Sequence, residues 1–230
     1  MTPVLEVEDL SFAFDGRRPV LEGISFAVRA GECVGILGAN GAGKSTLLWC
    51  LLGLLKCRGT VRWFGKPPGR AAARRIGVVF QNPEDQLFMP TVLEDVALGL
   101  INRGVAASAA RQRALEALEQ AGLAAAATRP ASQLSLGERK RAAIAAALAT
   151  SPEMLLLDEP TAELDGRSVR QLGALLDNLP VARLIASHHL DFLARLCSRL
   201  LVLEEGRLVA QGPAGQILGD AALLERAGLV

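Results

Sequence analysis

The sequence predicts an α/β fold in which a run of helices interrupts the alternation of strands and helices. Short apolar runs bounded by turn residues predict buried strands, most clearly CVGIL (33–37), MLLLD (154–158) and LIAS (184–187). From about 88 to 150 the patterns are helical, and the alternation returns after Pro152. We therefore expect one domain over 1–230, with an α/β core at 1–87 and 151–230 and a helical subdomain at 88–150.

The remaining elements follow from periodicity and from capping signals. Alternation over 4–10, and more loosely over 24–28, predicts half-buried strands. Thr91 with Glu94 forms a capping-box pattern that predicts a helix start after Pro90. Further strands are expected at 60–64, 76–80 and 199–203, and further helices at 44–56, at 107–121, from 137 to 150, and from Asp165 and Asp191.

Composition limits the class of protein. The net charge of +1 gives no reason to expect nucleic acid or bare lipid as the main partner. The hydrophobic content of 50% indicates either buried helices rich in Ala and Leu or an apolar patch reserved for a partner. No apolar run approaches the roughly 20 residues of a membrane span, and the acidic, alternating start MTPVLEVEDL is unlike a signal peptide. The cysteines lack C-x-x-C spacing, which indicates buried thiols in a reducing, cytoplasmic compartment: Cys33, Cys50, Cys57 and Cys197.

The stretch GANGAGKS (38–45) satisfies the phosphate-loop pattern G-x-x-x-x-G-K-[ST]. It follows a predicted buried strand and opens a predicted helix, a context that a mere glycine turn seldom has. Lys44 would bridge the β- and γ-phosphates of ATP, and Ser45 would ligate Mg²⁺. The other candidate nucleotide-binding residues are Gly38, Asn40, Gly41, Ala42, Gly43 and Thr46.

Two carboxylates end the apolar run in MLLLDEP (154–160). Successive residues of a strand point to opposite sides, so Asp158 can face the metal while Glu159 faces the attacking water. An acidic pair after a strand could instead cap a helix. The phosphate loop upstream favours the catalytic interpretation.

Three cations crowd a predicted helix start in LSLGERKR (134–141). Arg139, Lys140 and Arg141 lie near the positive end of the helix dipole, where each is disfavoured by roughly 0.3–1 kcal/mol. This arrangement predicts a negatively charged group close to the helix start.

Together, and in the order in which they occur along the chain, the three motifs resemble those of the nucleotide-binding subunit of an ATP-binding-cassette (ABC) transporter. The resemblance implies a P-loop NTPase (RecA-like) core with antiparallel N-terminal strands, an inserted helical subdomain, and MgATP hydrolysis coupled to transport. It also implies a role for Phe14 in stacking on adenine, although such a phenylalanine taken alone is more often a core residue. The other residues that match family motifs are Gln81 (Mg²⁺ and the attacking water), Ser135 and Gly137 (signature), Asp165 (the loop crossing the dimer) and His188 (γ-phosphate).

In this family a head-to-tail dimer is implied, with either a second copy or a paralogous ATPase. The helix start at Gly137 would then face the γ-phosphate bound by the neighbouring chain, which would account for the cations. The signature departs from the usual LSGGQ, because Leu136 replaces a Gly and Glu138 replaces Gln. Since Leu disfavours a positive φ, this departure puts the local backbone in question.

The LSLGE form and QNPEDQLFMPTVLEDVALG (81–99) resemble the ATPases of energy-coupling-factor importers. We therefore expect an ATPase that drives cobalt or nickel uptake through a separate membrane component docking near residues 82–99, at the cytoplasmic side of the membrane. A vitamin importer of the same group, or a soluble ABC protein outside transport, remains an alternative. A P-loop kinase is disfavoured by the signature and His188. Trp49 and Trp63 are expected to be packing residues.

Overall fold

The computed structural model describes residues 3–15, 18–177 and 179–229 and has the predicted α/β architecture. Before the helical segment, the elements are β1 (Leu5–Phe12), β2 (Leu21–Val28), β3 (Cys33–Leu37), α1 (Lys44–Leu51), β4 (Arg58–Trp63), α2 (Arg70–Ala73) and β5 (Ile76–Val79). Helix α1 ends five residues before its predicted end at 56. The chain turns there at Gly53, whose φ of 73° is a left-handed conformation.

Three helices separate β5 from the next strand: α3 (Val92–Asn102), α4 (Ala107–Gln120) and α5 (Leu136–Ala149). Thr91 caps α3 by accepting a hydrogen bond from the Glu94 N–H, as its capping pattern predicts. The helices share a core in which small residues such as Ala110 and Ala114 let them approach closely around Leu118. Helix α5 also contributes Ala143, Ile144 and Ala147 to a second core, so it connects the helical segment to the rest of the chain.

The rest of the chain returns to alternating elements. They are β6 (Met154–Asp158), α6 (Gly166–Asp177), β7 (Ala182–Ser187), α7 (Leu190–Leu196), β8 (Arg199–Glu204), β9 (Arg207–Pro213), α8 (Ala214–Gly219) and α9 (Ala221–Arg226). The sequence patterns did not predict the last three of these. Within the described residues, no helix combines the length and apolar character needed to cross a bilayer.

The main sheet brings the predicted motifs to one edge. Its strand order is β5-β6-β7-β3-β8-β9, and all neighbours are parallel except β8 and β9. Strands β6, β7 and β3 are adjacent, so the segments that follow them meet at the carboxyl edge. These segments carry the carboxylate pair, His188 and the phosphate loop.

The N-terminal strands form a second, antiparallel sheet with the order β2-β1-β4. Trp63 at the end of β4 is 1% exposed, and its indole Nε1–H donates to the Leu51 carbonyl at 2.8 Å. Trp63 thus fastens this sheet to α1 and is the packing residue that the sequence predicts. Of the cysteines, Cys57 is only half-buried, whereas Cys33 and Cys197 are buried with their Sγ atoms 3.6 Å apart.

Candidate nucleotide-binding site

The phosphate loop runs from the end of β3 to the start of α1 and uses glycine where other residues would be strained. Gly41 and Gly43 have φ values of 83° and 103°. A Cβ on Gly43 would lie 3.0 Å from Leu21 Cδ2, and a Cβ on Gly38 would lie 2.5 Å from the Leu203 carbonyl oxygen. The loop is therefore packed against its surroundings in a conformation that depends on these glycines.

The ammonium group of Lys44 lies under this loop and is buried. It donates to the carbonyl oxygens of Gly38 at 2.7 Å and Ala39 at 3.1 Å, and lies 2.9 Å from Glu159 Oε1. The ammonium thus donates two hydrogen bonds to the loop and forms a buried ion pair with Glu159.

Asp158, the last residue of β6, has a buried carboxyl group. It is 4% exposed, and its Oδ1 atom has no hydrogen-bond partner among the described residues. Burial raises the pKa of Asp158, while a hydrogen bond from Ser45 and the nearby charge of Lys44 act in the opposite direction. A buried, unsatisfied carboxylate oxygen beside a hydroxyl suits a hard cation such as Mg²⁺, which prefers oxygen ligands.

Glu159 follows immediately and points to different partners. Its carboxylate lies between Lys44 and His188, whose Nδ1 is 3.0 Å from Glu159 Oε2. Its backbone has a φ of 42°, and its N–H donates to the Ala186 carbonyl on β7 at 2.8 Å. The two neighbouring carboxylates therefore have separate surroundings.

These groups line a cavity of about 380 Å³ above the carboxyl edge of the sheet. Its lining residues are Val20, Asn40, Gly41, Gly43, Lys44, Ser45, Thr46, Gln81 and Glu159. Of the other predicted nucleotide-binding residues, Ala42 is buried behind the loop. Phe14 is 43% exposed and packs edge-on against Phe12, with ring centroids 4.8 Å apart, rather than lining the cavity.

Ser135 and Gly137 do not line this cavity of their own chain. Ser135 caps α5: its Oγ donates to Glu138 Oε2 at 2.9 Å and accepts from the Glu138 N–H at 3.3 Å. Gly137 is buried against α6, where a Cβ would lie 2.6 Å from Ser168 Oγ. Leu136 is the first residue of α5 and is not among the residues with positive φ, so the departure from LSGGQ does not strain the backbone.

Each of the three cations at the start of α5 has a partner within its own chain. Lys140 Nζ donates to the Glu159 carbonyl at 3.1 Å. Arg139 Nη2 lies 3.8 Å from Glu84 Oε1. Arg141 donates to the carbonyl of Ala121 and the side chain of Gln171, as separate hydrogen bonds of 3.2 and 2.8 Å.

Asp165 and Trp49 are not among the residues that line the phosphate cavity. Asp165 accepts a 2.7 Å hydrogen bond from the Ser168 N–H, which holds the pKa of Asp165 below its usual value and stabilises the start of α6. Trp49 is not a packing residue as expected: it is 39% exposed and, with the exposed Leu54, lines a second cavity of about 820 Å³. Ser45, Gln81 and Asp158 also line this second cavity, which therefore adjoins the phosphate site.

The glycine-rich loop and its lysine after β3, together with the carboxylate pair at the end of β6, two strands away in the same parallel sheet, define a P-loop ATPase. Residues 21–162 match the family model described as ABC transporter, and the chain belongs to this family. The predicted fold class and ATPase activity are thereby confirmed.

Comparisons with individual proteins agree with this assignment. The Nickel import ATP-binding protein NikO of Rhodobacter capsulatus is 42% identical, over 100% of this chain and 97% of the relative. The solved structure of CbiO1 from Clostridium perfringens, described as part of the ABC transporter complex CbiONQ, is 34% identical. It superimposes with a TM-score of 0.85 over 99% of this chain and 95% of that one. A dimeric ATP-binding cassette, MJ0796 bound to ADP and Pi, is 27% identical with a TM-score of 0.82 over 91% and 98%.

Proposed function

We propose that this ATPase drives the import of a transition-metal ion, nickel or cobalt, through a separate membrane component. The observation that carries the ATPase part is the cavity in which Lys44, Ser45, Gln81 and Glu159 converge beside Asp158. The proposed cargo is supported by the 42% identity to a nickel import protein along the whole chain. The ATPase subunit itself needs no contact with the cargo.

Each residue of the site would then have a distinct task. The loop amides and Lys44 hold the phosphates, while Ser45, Asp158 and Gln81 are the residues that would hold Mg²⁺. When bound, Mg²⁺ supplies positive charge that offsets the charge developing on the transferred phosphoryl group. Glu159 orients the attacking water and accepts its proton, and His188, hydrogen-bonded to Glu159, senses the γ-phosphate.

A second chain completes the site in this proposal. Ser135 and Gly137 lie outside their own chain's phosphate cavity, yet they begin a helix whose first N–H groups lack intrahelical acceptors. Such a helix start is suited to binding a phosphate presented by another molecule. The dimeric MJ0796 structure, bound to ADP and Pi, supports dimerisation. In this proposal the dimer is head-to-tail, and the partner is a second copy or a paralogous chain.

The membrane component would dock near residues 82–99, which places the ATPase at the cytoplasmic face of the membrane. Phe88 is 67% exposed there, and the exposed Trp49 and Leu54 lie along the second cavity. Exposed apolar side chains of this size are typical of partner surfaces. The described relative CbiO1 belongs to a multi-protein transporter complex, which supports the same assembly.

Transport in vesicles tests the proposal. The membrane component that co-purifies with the chain is reconstituted with it, and ATP-driven uptake of radioactive nickel and cobalt is measured. Glu159→Gln, which keeps the shape of the side chain but removes its basicity, is the matched control. We expect uptake with the wild type and a loss of about 100-fold or more in both hydrolysis and uptake with the variant. Hydrolysis without metal uptake, or uptake of a vitamin instead, would overturn the proposed cargo.

A further inference from the structure

A buried lysine outside the phosphate loop donates a hydrogen bond to the main chain of the proposed catalytic residue, Glu159. Lys140 lies on α5 and is 3% exposed. Its Nζ donates to the main-chain carbonyl of Glu159 at 3.1 Å. Burial lowers the pKa of Lys140, whereas the carboxylates of Glu163, Glu159 and Asp158 act against that shift. An ammonium buried in this way is retained only where its hydrogen bonds and neighbouring charges compensate for lost hydration.

The main chain of Glu159 needs such support. Its φ of 42° lies in the left-handed region, which residues other than glycine seldom occupy and which persists only when the surroundings enforce it. Three hydrogen bonds hold it here: the Glu159 N–H donates to the Ala186 carbonyl at 2.8 Å, and the Glu159 carbonyl accepts from the Ala162 N–H and from Lys140 Nζ, each at 3.1 Å. The peptide groups on both sides of the residue are thus anchored, one to β7 and the other to α5.

The direction of the side chain depends on that backbone conformation. The Glu159 carboxylate reaches Lys44 at 2.9 Å and His188 at 3.0 Å only from the present position of its Cα–Cβ bond. Rotation about the N–Cα bond of Glu159, from its left-handed φ toward the extended region, would move the carbonyl carbon and redirect this bond. A displacement of about 1 Å at a reacting group can lower the rate about 100-fold.

We propose that Lys140 is a positioning residue for ATP hydrolysis: its ammonium holds the Glu159 main chain in the left-handed conformation that aims the carboxylate into the phosphate cavity. The inference rests on the proposed role of Glu159. It also connects the two ends of the composite site, because the helix that carries Lys140 begins at Ser135 and Gly137. A shift of α5 on contact with a second chain's nucleotide would therefore act directly on Glu159 of the same chain.

Arg141 is the matched control for a structural effect. It is the next residue of α5 and also a cation, but it donates to Ala121 and Gln171, which lie outside the phosphate cavity. Lys140→Met and Arg141→Met each remove one positive charge and keep an unbranched apolar chain. A purely structural role for either residue predicts a loss of stability without a selective loss of kcat.

The test measures kcat and KM for ATP, the melting temperature, and ATP binding in a Glu159→Gln background. We expect Lys140→Met to lower kcat about 10- to 100-fold, with KM and ATP affinity changed by less than about threefold. Lys140→Arg keeps a donor near the carbonyl and should recover a large part of the lost kcat. Arg141→Met should keep kcat within about twofold of the wild type.

A Lys140→Met protein with wild-type kcat, or one that loses ATP binding in parallel with kcat, would overturn the inference. If Lys140→Met does not fold, Lys140→Gln, which retains a polar but shorter side chain, is judged by the same criteria. A different result would show that Glu159 does not have the proposed role in hydrolysis. In that case Glu159→Gln itself would hydrolyse ATP at nearly the wild-type rate, whatever the behaviour of the Lys140 variants.

Discussion

Ser135 caps α5, so its replacement can test whether this helix start acts on a nucleotide held by another chain. Asp and Asn both cap helices as well as Ser does. Ser135→Asp and Ser135→Asn should therefore both retain α5, but only Ser135→Asp adds a negative charge where a partner's phosphate would approach. The comparison separates a loss of the helix from a loss of the contact.

The expected size of the effect follows from simple electrostatics. Two unit charges about 4 Å apart repel by about 4 kcal/mol at an effective dielectric constant near 20, which corresponds to roughly a 1,000-fold loss of activity. Within the chain, the added carboxylate would face Glu138, which already contacts Ser135, but both are exposed and lie at the favourable end of the helix dipole. We expect the fold to lose no more than about 1 kcal/mol.

Mixing two inactive variants turns this contact into a test of the dimer. Lys44→Met disables the phosphate loop and leaves Ser135 intact, whereas Ser135→Asp does the reverse. In a 1:1 mixture, half of the dimers are mixed, and each has one site made of an intact loop and an intact Ser135. Phosphate release at saturating ATP should then recover to about a quarter of the wild-type rate.

Two results would contradict the prediction of a shared site. If each site were complete within one chain, the mixture would be no more active than its separate components. If the helix start did not meet a phosphate, Ser135→Asp would be as active as Ser135→Asn. A different affinity tag on each variant, with purification through both tags in the presence of ATP, confirms that mixed dimers have formed.

Three further predictions concern stability. Asp158→Asn should raise the calorimetric Tm of the nucleotide-free protein at pH 7 by about 2 °C or more, because burial raises the pKa of Asp158 and the ionised carboxylate therefore destabilises the fold. That gain should shrink as the pH falls toward 3.8, and a lower Tm at pH 7 would contradict it. Trp63→Ala should lower the free energy of unfolding in urea by about 3–5 kcal/mol, since the side chain is fully packed and donates to Leu51; a loss under about 1 kcal/mol would count against this packing role. Burial alone would raise the pKa of Glu32, but hydrogen bonds from Arg199 and the main chain hold it below 4.5. Glu32→Gln should therefore destabilise the protein by about 1 kcal/mol above pH 4.5, and this difference should vanish in more acidic buffer.

The parts of the site that depend on residues close together in the sequence could be predicted from it. Strands β3 and β6 begin and end at the predicted residues, because buried parallel strands are apolar throughout and are bounded by glycine or charge. The phosphate loop needs glycine for its positive φ values, which leaves a clear local pattern. The convergence of these segments follows from strand order alone.

Contacts between segments that are far apart in the sequence leave no comparable pattern from which they could be predicted. The hydrogen bond from Lys140 to Glu159 joins an interior helix position to the end of a strand, and a buried lysine looks like an exposed one in the sequence. The exposure of Trp49 was mispredicted for the converse reason, since an aromatic residue in an apolar helix is usually packed. The thiols of Cys33 and Cys197 meet only because β3 and the end of α7 are neighbours in space. Tertiary packing decides each of these cases.

A bound phosphate and the proposed base, Glu159, would compete for the ammonium group of Lys44. This ammonium donates to the carbonyls of Gly38 and Ala39 and forms an ion pair with the Glu159 carboxylate. A phosphate bound by Lys44 would compete with Glu159 for the positive charge of the ammonium. The two carbonyls belong to the packed loop, whereas the Glu159 contact is made by a side chain. Phosphate binding would therefore release Glu159 from Lys44 and leave it hydrogen-bonded to His188, so that the base becomes available only when there is a nucleotide to hydrolyse.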